Sequence, residues 1–424
     1  GLVTTLNMPA MNDASAKRLI AIVCSAQALV QIGAFFWPAL LPSMMLRWEL
    51  TNSDAGWITG IFYAAYMVSV PLLVTLTDRV DPRAVYLFGV GCTIVAHSLF
   101  GLVADGFWSA LALRAIAGVG WAGTYMTGLK LLVDIVDKKI MSRAVTGHAA
   151  SIGISGAISF ACADLLAKHF GWAGAFILAG TCALTAWLLV VTSVPKAPEK
   201  VRSVELDWFD FRPVISNRSS MAYAIAYCAH TLEMNALRGW GVAFLTFVAA
   251  RADASDGAPL LTPTTVLTLL GIVGTAASVL GNEASIRIGR RNLIMAAMLC
   301  SAICATSLGF MGSNSYVLAV VLMLLYAFIV WLDSSSLTAG AAGTADPQRR
   351  GATLAVHSTL GYAGGFVGPL IIGWTLDLSG GKSPTSWGLS FLLIAICSLV
   401  AMVIFLALRP RELAGEGSKA SGSG

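Results

Sequence analysis

Three ionisable residues, His230, Glu233 and Arg238, interrupt an otherwise apolar stretch, YCAHTLEMNALRGWGVAFL (227–245). Inside lipid such a group costs about 2.5–3.5 kcal/mol on insertion scales, so the cluster marks a site or a structural anchor. His230 and Glu233 are three residues apart and share a helix face. Glu233 and Arg238 are five apart and do not, unless Asn235 or Gly239 breaks the helix. A carboxylate that can be neutralised crosses a hydrophobic barrier more readily than a fixed charge, which suits Glu233 to carrying a proton, with His230 and Arg238 adjusting it. Arg238 would then hold Glu233 in the empty protein or take an anionic solute. The structural alternative is a His/Glu/Arg cluster that anchors a kinked helix. Asp333, followed by three serines in YAFIVWLDSSSLTAG (326–340), is a second carboxylate of the same kind, or else a hydrated residue near the surface.

Other polar groups sit in similar surroundings. Arg114 and Lys130 are cations within apolar stretches, and Gln27 and Gln31 are four apart. Glutamines in lipid need partners. Trp121 and Tyr125 share one helix face, Tyr63 and Tyr66 another, and Trp240 follows Arg238 closely. Aromatic stripes of this kind serve packing more often than binding. Cys228, His230 and Met234 bring soft ligands into one stretch, a set that would suit Cu(I). His148 and His357 are expected to be ordinary interfacial residues rather than a proton relay.

The elements that position these groups follow from composition. Of 424 residues 57% are hydrophobic and only 12% charged, with a mean hydropathy of +0.77. Soluble domains are roughly 45–50% apolar and about 25% charged. Apolar runs of about 20 residues, enough to cross a bilayer, recur near 18–46, 55–77, 83–104, 107–133, 143–168, 172–194, 219–249, 262–284, 291–312, 315–340, 350–378 and 385–408. With both tails on the cytoplasmic side, 20 of the 27 Lys and Arg fall in cytoplasmic segments. Only Arg47, Lys168, Arg251 and Lys382 lie outside, and that bias sets the orientation. The eight cysteines form no Cys-x-x-Cys pair and read as free buried thiols.

The long polar segment 195–218 divides the chain nearly in half, and the halves repeat at an offset of about 208. Arg79 and Arg83 match Arg287 and Arg291; His148 and Gly156 match His357 and Gly365 one residue later; Trp172-x-x-x-Phe176 matches Trp387-x-x-x-Phe391. The expected organisation is a cytoplasmic tail (1–17), a six-helix half (18–194), a cytoplasmic linker (195–218), a second six-helix half (219–408) and a disordered cytoplasmic tail (409–424).

At this point the chain resembles the major facilitator superfamily over essentially its whole length. VTLTDRVDPR (74–83) is similar to that family's Gly-x-Leu-x-Asp-Arg-x-Gly-Arg-Arg loop, keeping Asp78, Arg79 and Arg83 but having Val74, Asp81 and Pro82 for Gly, Gly and Arg. GNEASIRIGRR (281–291) keeps Arg287, Gly289, Arg290 and Arg291, but Ile286 stands where an acid belongs, with Glu283 the expected substitute. RAIAGVGWAG (114–123) resembles the Arg-x-x-x-Gly-x-Gly motif, with Arg114 its intramembrane arginine and Gly118 and Gly120 allowing close helix approach. SIGISGAISF (151–160) and LGYAGGFVGP (360–369) are similar to the family's glycine-rich packing helices.

The resemblance implies an all-α membrane protein of twelve transmembrane helices and alternating-access transport, with the first, fourth, seventh and tenth spans lining the cavity. It places Arg238, Arg114, Lys130, Gln27, Gln31, Tyr125 and Trp240 at the substrate, while Glu233, Asp333 and His230 are the proton groups expected from their own chemistry. Asp78, Arg79, Arg83, Arg287 and Arg291 would gate by pairing acid with arginine between the halves. The bland reading of those arginines is that they merely flank helices at the positive side. The leading expectation is proton-coupled transport of a small polar or anionic solute by a monomer in the inner (plasma) membrane, with lipid as its surroundings and without cofactor or nucleic acid. A copper transporter is a second reading, since His-x-x-x-Met resembles the spacing in copper-importing facilitators, though a second Met-x-x-x-Met is missing. A non-transporting sensor or assembly factor is a third, and multidrug efflux a fourth. The chain has no Gly-x-Ser-x-Gly, phosphate loop, zinc signature or nucleotide fingerprint, so an enzyme is not expected.

Overall fold

The structure, a computed structural model, describes residues 13–77, 79–133, 135–137, 141–196, 210–252, 259–413 and 416–417. The tail 1–12, most of the linker (197–209) and residues 418–424 lie outside these. Among the described residues the regular structure is entirely helical. The first span is α1 (Asp13–Gln31) and α2 (Phe36–Arg47), separated by a break at 32–35. Next come α3 (Asn52–Leu76), α4 (Pro82–Val103) and α5 (Phe107–Val133). α6 (Met141–Ser193) runs through both the fifth and sixth spans, bent at Gly171, whose φ of 76° is open to glycine. At 1.5 Å per residue its length is roughly twice what a bilayer needs, so it crosses twice. After the short α7 (Arg212–Ile215), the second half holds α8 (Arg218–Arg251), α9 (Pro263–Ile288), α10 (Arg290–Met311), α11 (Tyr316–Trp331), α12 (Ser334–Thr344), α13 (Arg350–Leu378) and α14 (Pro384–Leu408). α11 and α12 are one span, the tenth, broken beside Asp333. Twelve crossings result, so α1 begins and α14 finishes at the same end of the bundle, here the terminal end.

Three features of these elements decide between, or differ from, the expectations from sequence. The seventh span is an unbroken helix through Asn235 and Gly239, so Glu233 and Arg238 stay about 140° apart around it. The breaks fall in the first and tenth spans instead. His148 and His357, expected at an interface, are both buried, 4% and 2% exposed. The eight cysteines are all free, but none is fully buried as expected: seven are half-buried and Cys300 is exposed.

The repeat is visible in the packing. In the first half Phe100 stacks on Phe176 (centroids 4.2 Å apart) and meets Trp172 edge-on at 6.3 Å. In the second, Phe244 packs edge-on against Trp387 (5.1 Å) and Phe391 (5.7 Å). Each Trp-x-x-x-Phe motif thus anchors an aromatic core in its own half. Gly118 packs so tightly on α3 that a Cβ there would collide with the Phe62 carbonyl oxygen. Overpacking of this kind costs about 1–3 kcal/mol, so Gly118→Ala is expected to lower the unfolding temperature of the detergent-purified protein; an unchanged temperature would contradict the close approach.

The two halves meet chiefly through α3 against α13, α6 against α9, and α2 against α8. At the far end, opposite the termini, Asp377 near the end of α13 accepts three hydrogen bonds from the start of α3. Asn52 N (3.2 Å) and Nδ2 (3.0 Å) donate to Oδ1, and Ser53 N (2.6 Å) donates to Oδ2. Trp57 and Trp374 pack edge-on just below, 6.2 Å apart.

Candidate substrate cavity and buried acid groups

Where the halves meet at mid-depth there is a cavity of about 40 Å³. α8 supplies one wall with Tyr227, Thr231, Met234, Asn235 and Arg238, residues spaced so that they form a single helical stripe. Aromatic rings supply much of the rest: Phe35, Phe62, Tyr63, Trp121 and Tyr362. Arg238 is the only charged residue among the lining residues. Its Nη2 donates to Asn235 Oδ1 at 2.8 Å, and the guanidinium lies 4.7 Å from the Phe35 ring centre and 5.8 Å from that of Trp331. Its Nε is buried without a hydrogen-bond partner. A buried donor left unsatisfied costs about 1–3 kcal/mol, more when charged, so the site is poised for an acceptor.

Glu233 does not face this cavity. It points into the second half, where Ser301 Oγ of α10 donates to Oε1 at 3.3 Å and Tyr326 of α11 and Ser398 of α14 stand beside it. His230 also turns inward. Its Nδ1 lies 2.9 Å from the Val330 carbonyl oxygen and 3.2 Å from Asp333 Oδ1, both groups buried. Asp333, at the break between α11 and α12, lies within electrostatic range of Glu233. The expected acid pair and His230 are therefore together, but as an internal cluster, and the surface-hydrated reading of Asp333 does not hold. Arg238 is not part of it. The soft-ligand set is not assembled either: Met234 faces the cavity, His230 faces Asp333, and Cys228 abuts α13 at Gly364 and the neighbouring Cys397. Among the described residues no three His, Cys, Asp or Glu side chains are grouped to hold a metal.

A family model described as Major Facilitator Superfamily matches residues 23–332 and 234–424. The chain belongs to the major facilitator superfamily. Human "Protein spinster homolog 1" is 22% identical over 403 residues, 88% of this chain and 75% of that one. The "Benzoate transport protein" of Acinetobacter baylyi is 22% identical over 410 residues, 88% and 85% of the two chains. A solved structure of a bacterial homolog to the human lysosomal transporter Spinster, in an inward-facing and unoccupied conformation, superposes with a TM-score of 0.75 at 13% identity, covering 94% of this chain and 98% of that one. These relatives are transporters, not enzymes, and this chain is a multi-pass membrane transporter of small solutes.

Several residues expected at the substrate of a major facilitator protein have other duties here. Arg114 is buried behind Phe62, 4.8 Å from its ring centre, with Nε 3.4 Å from the Ile58 carbonyl oxygen. Lys130 donates to Thr77 Oγ1 (2.7 Å) at the start of the second-to-third loop. Gln27 accepts from Tyr86 (3.0 Å) and Gln31 from Ser155 (3.0 Å), each within the first half. Trp240 is fully buried and donates to the Pro369 carbonyl oxygen at 3.0 Å, holding α13. Only Tyr125, stacked on Trp121 and within range of Arg238, stays near the cavity with Arg238 itself. Tyr227 and Tyr362 were missed, although Tyr227 is four residues before Thr231 on the Arg238 stripe.

The motif loops also differ from expectation. Asp78 lies outside the described residues. Arg79 and Arg287 are exposed. Arg83 donates to the carbonyl oxygens of Val191 and Val194, both at 2.9 Å, closing the end of α6 within its own half. In the second half the missing acid comes from the chain's end, not from Glu283, which is exposed. Glu412 accepts from the backbone N–H groups of Arg290 (2.8 Å) and Arg291 (3.0 Å), capping α10. Glu416 grips the buried Arg290 guanidinium, whose Nη1 also donates to the Ser336 carbonyl oxygen at 2.8 Å. Glu412 and Glu416 are thus held against the bundle where a disordered tail was expected.

Proposed function

We propose that this transporter carries a small planar organic anion of the aromatic monocarboxylate type, together with a proton, by alternating access. The observation that carries the reading is Arg238, a lone cation with a free buried donor in a cavity walled by aromatic rings. A guanidinium binds carboxylate through two parallel hydrogen bonds, and flat rings give a planar solute offset-stacked or edge-on contacts. The relative named for benzoate is in keeping with this chemistry. Glu233, Asp333 and His230 provide the proton site, which neutralises the load of one monoanion. The terminal end, with 20 of 27 Lys and Arg on its side, is the cytoplasmic one, and the protein is a monomer of the inner (plasma) membrane.

A thermal-shift screen of the purified protein at two pH values tests the anion. Ligands that bind the folded state stabilise it by mass action, by about 2.7 kcal/mol at a hundred times Kd. Benzoate is expected to raise the unfolding temperature more than acetate, cuprous ion or a lipophilic cation. Stabilisation by the cation or the metal alone would reject the reading. For the proton, Glu233→Gln is expected to abolish uphill uptake driven by a pH gradient; wild-type accumulation at every pH would remove Glu233 from the coupling.

A further inference from the structure

Tyr227 is the residue at which the cavity and the buried acid groups meet. Its ring is part of the cavity wall and lies between two imidazoles. His357 of α13 is nearly parallel to it, with centroids 4.1 Å apart and planes 7° apart; His230 of its own helix is at 5.8 Å and 15°. The ring is held tightly, since a Cβ on Gly361 would collide with it. His357 reaches Thr338 Oγ1 of α12 through Nε2 (3.2 Å), and its Nδ1 is buried without a partner, as is Nε2 of His230. The charged and titratable groups around this stack are Asp333 at the α11–α12 corner, Glu233 and Arg238 on α8, Tyr66 on α3, Tyr125 on α5 and Tyr362 on α13.

His230 Nδ1 has two acceptors within reach, the Val330 carbonyl oxygen and Asp333 Oδ1, and one N–H can serve only one of them well. Hydrogen bonds weaken steeply with geometry, and close-packed interiors pass on small displacements. A shift of the imidazole by a few tenths of an ångström, on the order of the difference between those two distances, is enough to exchange one acceptor for the other.

We infer that Tyr227 is the positioning residue that couples anion binding to proton uptake. An anion seated on Arg238 packs against the Tyr227 ring, the ring fixes His230 against Asp333, and the pair takes up its proton only when the cavity is filled. One proton enters with one carboxylate and leaves with it; nothing is oxidised or reduced. This rests on the anion and proton reading given above.

The test uses the full-length protein in sealed vesicles with radiolabelled benzoate. Two quantities are compared: accumulation driven by a pH gradient, and counterflow at equal pH, which needs binding and alternation but no net proton movement. Tyr227→Leu also removes a ring from the cavity wall, so counterflow is expected to need more benzoate but to persist at saturation, while accumulation and the measured proton-to-benzoate ratio fall about tenfold or more, the usual size of a coupling between sites. Tyr227→Phe keeps the ring and is expected to behave as wild type. His357→Leu removes the ring on one face of the stack without touching the cavity wall, and is expected to reproduce the same split even if Tyr227→Leu does not fold. Wild-type ratios in the folded leucine variants would overturn the inference, as would loss of counterflow together with accumulation in both. If the wild type itself moves no benzoate, or moves it without a proton, the proposed function fails and not the coupling role.

Discussion

Arg238→Ala is expected to cost benzoate binding about 2–3 kcal/mol, or roughly 30- to 150-fold in Kd, the range for a hydrogen bond to a charged group. Truncation also empties a volume that the Phe35 and Trp331 rings now share with the guanidinium, so the unfolding temperature of the empty protein is measured alongside. Arg238→Lys restores charge but not the planar fork, and is expected to recover only part of the affinity. The sign at the level of the fold is less obvious. Arg238 carries an unpartnered buried donor, so its removal relieves a penalty, and the empty variant is expected to be no less stable than wild type. Isothermal titration of both variants, with nitrobenzene as the uncharged control, separates carboxylate recognition from ring stacking. Equal benzoate affinity in wild type and Arg238→Ala would move the anion site elsewhere.

Asp377→Ala is expected to open the far end. The Asp377 carboxylate holds α3 and α13 together through three hydrogen bonds. Their loss should shift the balance between closed and open far ends by about 2–3 kcal/mol, roughly 30- to 150-fold, on the usual scale for charge-assisted bonds. Spin labels on Asp105 and Leu260, exposed in far-end loops of opposite halves, would report it in a background lacking the eight native cysteines. The expected result is a second, longer distance in Asp377→Ala and a smaller one in Asp377→Asn, which keeps one acceptor oxygen. A single unchanged distance in the alanine variant would show that packing such as that of Trp57 on Trp374 closes that end by itself.

Hydropathy made the spans legible, because lipid-facing and core-facing residues are alike apolar and only the loops break the runs. Nine of the described helical stretches are long and apolar enough on their own. α5 and α8 are not among them; they carry Arg114, Glu233 and Arg238, and were found as apolar runs bounded by charged or Pro, Gly and Asn breaks. Which way a polar residue faces was less legible. Glu233 and Arg238 stand out as ionisable residues in an apolar run, but their separation rested on whether α8 breaks, and a glycine and an asparagine permit a break without requiring one. Glu412 and Glu416 are more than 120 residues from the arginine they serve, beyond any local pattern. Asp377 did leave a sign in the sequence: an acid in the last turn of a helix opposes the helix dipole, so it needs donors from elsewhere, and the start of α3 supplies them.

The grip of Glu412 and Glu416 on the start of α10 has a consequence for how the protein is made. Synthesis runs from the N-terminus, so Arg290 enters the membrane region well over a hundred residues before its carboxylate partners are joined to the chain. Until then the second half carries a buried guanidinium short of a counter-charge, a defect worth about 3–5 kcal/mol when one partner of a buried pair is missing. The segment bearing Glu412 and Glu416, made long after α10, is therefore what neutralises Arg290, and a chain cut short before Glu412 would display the fault to whatever machinery removes unfinished membrane proteins.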